Sequence, residues 1–186
     1  YYQILKLPPD DRYAITGSVD PIEAGDIECS DISIRVTKAQ RPLDCLAVAR
    51  DGYAFSSWSG DCSGLSCSLA EVNSDINLVA NFDLEVTPSA GGGGAIGPST
   101  VQTVTQNSTT SFTLTPDSGY AISSVAGTCG GSLAGSTYTT NAITAPCSVV
   151  ASFSQITYAV TPSAGDGGAI SPSTAQTIAE GATTTF

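Results

Sequence analysis

Six cysteines and seventeen acidic side chains carry most of the reactive chemistry in this chain, which has no histidine and no methionine. Without histidine, neither a Ser-His-Asp nor a Cys-His nucleophile can be assembled within it. A zinc site normally takes four Cys or His ligands, whereas Cys62-x4-Cys67 is a lone pair. An even cysteine count in small strand-rich segments points instead to disulfides and an oxidising compartment. Among the many pairings six cysteines allow, the favoured set is Cys62–Cys67, Cys129–Cys147 and Cys29–Cys45. Loop entropy assigns each about 2–3 kcal/mol, least for Cys62–Cys67, which closes the shortest loop.

Two further constellations invite a functional reading. The acidic run Asp20, Glu23, Asp26, Glu28 and Asp31 offers calcium candidates, Asp20, Asp26 and Asp31 foremost, since calcium takes several oxygen ligands from loops. Its spacing is not that of an EF-hand, and a solvated acidic loop is the simpler expectation. Tyr53, Phe55 and Trp58 could stack a sugar ring. The matching residues of a second, similar stretch are Tyr120, Ile122 and Val125, however, and aliphatic side chains offer no π face. Core packing is therefore expected of Tyr53, Phe55, Trp58, Phe82, Phe112, Tyr120 and Phe153.

Other signals are negative. The tract Gly91–Gly94 precedes neither a helical pattern nor Lys-Ser/Thr, so it is no phosphate loop. Carboxylate pairs for glycoside cleavage would have to come from acids in polar, Gly/Pro-flanked stretches, and no catalytic residue or cofactor is expected. Asn107-Ser-Thr109 is a sequon, useful only in a glycosylating host. The net charge is −11, and all six cations (Lys6, Arg12, Arg35, Lys38, Arg41, Arg50) lie before residue 51. Nucleic acid and anionic lipid are disfavoured partners. No aliphatic run approaches the ~20 residues that a bilayer span needs.

The elements that position these residues repeat. Val86 to Phe112 and Val160 to Phe186 align without a gap and share 18 of 27 positions, which means tandem modules. Gly52-Tyr-Ala-Phe-Ser-Ser-Trp-Ser-Gly-Asp-Cys62 matches Gly119-Tyr-Ala-Ile-Ser-Ser-Val-Ala-Gly-Thr-Cys129. Closing strands follow at Asn77-Leu-Val-Ala-Asn-Phe82 and Ser148-Val-Val-Ala-Ser-Phe153. Three modules are expected: 1–82, with a divergent start and an insertion over 22–44; 83–153; and the opening part of a third over 154–186. Ile32–Val36 and Ser111–Thr115 alternate with period two, as half-buried strands do. Pro116-Asp-Ser-Gly119 and Arg50-Asp-Gly-Tyr53 read as turns. The fold class is all-β, with at most a minor α element near 70–75, built from small disulfide-stapled modules.

Val86-Thr-Pro88, the glycine turn, Gly52-Tyr-x-Phe-x-x-Trp-Ser-Gly60 and the closing Val-x-Ala-x-Phe strands together resemble bacterial surface-repeat modules related to internalin B-type repeats. The first copy departs at its start, where Leu5-Lys-Leu-Pro-Pro9 stands in place of Val-Thr-Pro. The resemblance implies grasp-like or sandwich-like modules strung along large secreted or cell-surface proteins as stalks, adhesin segments or spacers. No catalytic residue is carried over.

The expected function is a non-enzymatic structural segment that is extracellular or on the cell surface, with glycan or host-protein adhesion as the alternative. The absence of an initiator Met and of an apolar leader at Tyr1 reads as a processed or excised chain. Self-association or neighbouring repeats are the expected partners. Third-copy strands at 157–161, 169–171, 175–179 and 183–186 would leave an open edge, which recruits other strands. Tyr2, Ile4, Leu5 and Leu7 are candidate donor residues, and head-to-tail donation would build a filament.

Overall fold

The structure, a computed structural model, describes residues 3–5, 15–30, 43–70, 72 and 74–186. Its strands are β1 (Gln3–Leu5), β2 (Ile15–Asp20), β3 (Gly25–Cys29), β4 (Leu43–Ala49), β5 (Tyr53–Gly60) and β6 (Cys67–Leu69). Then come β7 (Ile76–Ala90), β8 (Gly94–Gly97), β9 (Gln102–Val104), β10 (Ser111–Pro116) and β11 (Tyr120–Gly127). The last are β12 (Gly131–Ala134), β13 (Thr137–Thr140), β14 (Cys147–Gln155), β15 (Thr157–Val160) and β16 (Gln176–Ala179). No helix occurs among the described residues; of the helical turn expected near 70–75, residues 71 and 73 lie outside them.

Strand β7 explains why the chain is β throughout. Ile76, Leu78, Ala80, Phe82, Leu84 and Val86 are buried in alternation with more exposed neighbours, the period-two pattern of a pleated strand with one face in a core. The chain divides into two compact units: 1–86 with 102–109 and 142–147, and 87–101 with 110–141 and 148–186.

In the first unit, β2 runs parallel to β7 from Ile15 opposite Ile76 to Asp20 opposite Asn81. On the other edge β5 pairs antiparallel with β7, slipping register between Phe55 and Ser57. Strand β1 adds antiparallel to β2, and β9 to Leu84–Val86. A second sheet, β3-β4-β6, faces this one. Between them Trp58, Leu78, Phe82, Cys62 and Cys67 pack with Ile27, Cys45 and Leu69. Two sheets enclosing one core make the module sandwich-like.

In the second unit, β12, β13, β10 and β8 form one sheet, and β14 pairs antiparallel with β11. The β11–β14 register slips between Ile122 and Ser124, the counterpart of the slip beside Phe55. Phe112, Leu114, Tyr138, Val149 and Ala151 are buried here. Of the expected core aromatics, Trp58, Phe82 and Phe112 are buried, while Tyr53, Phe55, Tyr120 and Phe153 are half-buried.

Candidate functional site

Each complete module closes on one contact, a phenylalanine of its last strand seated against a glycine of its opening hairpin. A methyl added at Gly25 would stand 2.6 Å from the Phe82 ring, and one at Gly94 2.6 Å from the Phe153 ring. Neither glycine has a positive φ; at Gly94 the Phe153 ring takes the space of a side chain, and at Gly25 the Phe82 ring and the Val48 backbone carbonyl take it together. The surrounding bonds repeat as well. Arg50 N–H donates to Ala24 O at 2.9 Å, and Asp117 N–H to Gly93 O at 3.0 Å. The turns that follow close by Tyr53 N–H to Arg50 O and Tyr120 N–H to Asp117 O, with Gly52 and Gly119 both at positive φ. In the second module the Tyr120 ring covers Gly93, and Gly91 N–H donates to Ala151 O at 2.9 Å.

The cysteines are all bonded. Cys29 joins Cys45 across β3 and β4, and Cys62 joins Cys67 within the first core. Cys129 and Cys147 are also disulfide-bonded, and with the other four paired they bond to each other. The sulfurs therefore staple sheets and are not nucleophiles or metal ligands.

Among the described residues, the calcium candidates form no metal site. Asp26 receives both of its oxygens' bonds from the Arg50 guanidinium at 3.1 Å, Asp20 ends β2, and Asp31 lies outside the described residues. No group of three or more Asp, Glu or Cys suited to a metal is brought together among the described residues. A cleft of about 530 Å³ in the first unit is floored by Ile15, Val19, Ile27 and Leu78. Arg50, also on its lining, pairs with Asp26 and donates to the Glu23 carbonyl in an exposed ion pair.

The aromatic trio is no sugar platform. Trp58 is only 3% exposed, its ring 5.6 Å from that of Phe55, so neither face is open to a ligand. The candidate donor strand is engaged as well. Ile4 and Leu5 lie in β1, paired with Thr16 and Ile15 of β2 in the same chain. Tyr2 and Leu7 lie outside the described residues.

The third copy reproduces the start of the second and then differs. Strand β15 pairs with β16 so that Val160 faces Gln176, the counterpart of Val86 facing Gln102. Yet Val86 is 0% exposed and Val160 38%, and Phe112 is 1% exposed and Phe186 45%. The strands expected at 169–171 and 183–186 are not formed. In the second module β8 forms by pairing with Thr113–Pro116, and those positions have no counterpart among the 186 residues. Gly165 and Gly167 have nothing within 4 Å of an added methyl, and Gly168 meets only the Gly165 carbonyl at 4.0 Å.

The repeated architecture has a matching repeated sequence profile: residues 17–86 and 84–157 each match the family described as the Divergent InlB B-repeat domain. The chain belongs to that family. The two matched stretches share Leu84 to Val86, so β7 ends one repeat domain and begins the next. No curated protein and no solved structure matches the chain. The repeat-domain match begins at residue 17 and takes in Val19-Asp20-Pro21, which stands in β2 and the following turn as Val86-Thr87-Pro88 stands in β7. Local spacing does not predict the glycine–phenylalanine contact. Its signal is the recurring Gly25-Asp-Ile27, Gly94-Ala-Ile96 and Gly168-Ala-Ile170.

Proposed function

We propose that this chain is a non-enzymatic structural segment of a secreted or cell-surface bacterial protein, serving as a spacer or stalk. The supporting observation is that the two modules share their construction and no reactive group. Both use the same strand slip, the same turn bonds and the same phenylalanine seated on glycine. Where the two copies differ at matching places, as at the buried Trp58 and the half-exposed Val125, the difference is one of packing and brings in no reactive group. A framework repeated in this way fits a mechanical role better than a binding one.

Three disulfides are compatible with an oxidising, extracellular location. The adhesion alternative loses its best platform with the burial of Trp58. A filament built by donating the first strand has that strand already paired with β2.

The test is antibody labelling of the producing bacterium with serum raised against residues 84–157. Label is expected on intact cells or on material they release. Label that appears only after lysis would overturn the proposal.

A further inference from the structure

We propose that the first module is a tension clamp: pulled along the chain, it resists through the β2–β7 pair, whose bonds bear the load together. The inference deepens the spacer-or-stalk reading and rests on it. The observation behind it is the parallel pairing of β2 with β7, from Ile15 opposite Ile76 to Asp20 opposite Asn81. These two strands open and close the repeat domain matched over residues 17–86. The chain therefore enters and leaves the module on neighbouring strands that point the same way.

Tension draws β2 back by its Ile15 end and β7 forward past Asn81. The strands can part only by sliding along each other, which strains the evenly spaced bonds of a parallel ladder all at once. Ile15, Ile76, Leu78 and Ala80 are buried, so water cannot take over those bonds singly as they stretch. An antiparallel pair pulled at one end opens bond by bond instead. The module contains that contrast: β5 pairs antiparallel with β7, Tyr53 opposite Leu84 and Gly60 opposite Leu78. Strand β5 lies between β2 and β7 in sequence, so end-to-end load does not enter through it.

The disulfides have a separate part. Cys29–Cys45 and Cys62–Cys67 both close loops between β2 and β7. Neither braces the clamp; each withholds chain from extension after the clamp has slipped.

The test is force spectroscopy on the full chain, held first by its two ends and then by an attachment at Asp51 and the C-terminal end. The first module's step is the one that lengthens by about 50 Å in Cys29→Ala/Cys45→Ala chain held end to end. Held from Asp51, the load peels β5 from β7 beginning at Tyr53 and Leu84. The step should then shorten and come at about half the force or less. Trp58 and Leu69 pack in the core away from the β2–β7 ladder. Trp58→Ala and Leu69→Ala chains should unfold at lower urea yet yield end to end at nearly the parent force. Force reads the unfolding barrier, and a contact still intact when the clamp slips does not set it. Leu69→Ala, the milder loss, keeps the comparison where Trp58→Ala does not fold. Equal force in the two geometries, or an end-to-end force that falls in step with urea stability, would overturn the clamp and leave the surface-labelling result untouched.

Discussion

The ring of Phe153 occupies the space where a side chain on Gly94 would be, 2.6 Å from the position of an added methyl. Gly94 and Gly168 sit in the same local sequence, Gly-Gly-Ala-Ile, and neither has the positive φ that would penalise alanine by itself. Their alanine variants therefore separate packing from backbone effects. Overfilling a packed site costs about 1–3 kcal/mol, so Gly94→Ala should lower the unfolding free energy by that amount in urea melts. Gly168→Ala, in open space, should change it by less than about 0.5 kcal/mol. Equal losses would mean that the phenylalanine contact is not what holds the second module shut.

Trp58 and Val125 occupy matching places with different consequences. Trp58 faces Ala80 across β5 and β7, and Val125 faces Ala151 across β11 and β14. The first is buried between two sheets, the second half-exposed. Trp58→Ala should cost about 3–5 kcal/mol and unfold the first module at a lower denaturant concentration. Val125→Ala should cost about 1 kcal/mol or less. Both losses are read by circular dichroism during denaturation.

Much of this fold is legible from spacing because a tandem repeat supplies its own control. Ile122 and Val125 opposite Phe55 and Trp58 pointed to a core, and the closing Val-x-Ala-x-Phe strands marked where each module ends. The opening of the first module is harder to see. Val19 and Gly25 are closer together than Val86 and Gly94, and Val-Asp-Pro replaces Val-Thr-Pro, so the opening of the first copy matches its counterpart only with a shortened spacing. The third copy differs in another way. Ala169–Ser171 has strand composition, but a strand needs its neighbour, and the residues that pair with β8 in the second module have no equivalent there. The seat of Phe153 on Gly94 is a long-range contact that no local pattern encodes. Only the recurrence of glycine before each Ala-Ile or Asp-Ile hints at it.

Loop length and burial make opposite predictions for two of the disulfides. Cys29–Cys45 spans 16 residues and Cys62–Cys67 only 5, so chain entropy gives about 3 and about 2 kcal/mol. Cys62 and Cys67 are both buried, however, whereas Cys29 and Cys45 are half-buried at the edge of the core. Replacing the buried pair by alanine also removes packed sulfur atoms, at about 1 kcal/mol each. The Cys62→Ala/Cys67→Ala chain should thus be at least as destabilised as Cys29→Ala/Cys45→Ala, despite its shorter loop. Calorimetry on the two double variants decides it. A clear ranking by loop length would show that the sulfurs contribute through the unfolded chain alone.

Alkaline pH should weaken the protein through two tyrosines. Burial raises the Tyr53 phenol above its ordinary value of 10.0, helped by the nearby Glu23 charge and by the hydrogen bond its hydroxyl donates to Glu23. Burial alone raises Tyr138. Below about pH 10 both phenols are protonated in the folded and unfolded chains alike, and they add no pH dependence. Above that, the unfolded chain gives up these protons first, so it binds fewer than the folded one and stability falls with rising pH. The fall should continue until the folded phenols themselves ionise. Urea melts from about pH 9 to 11 should show this decline, shallower in Tyr53→Phe and in Tyr138→Phe than in the parent chain. Because no cysteine is free to start disulfide exchange, the decline should reverse on return to neutral pH. A stability flat across that range would mean that neither phenol is held protonated by the fold.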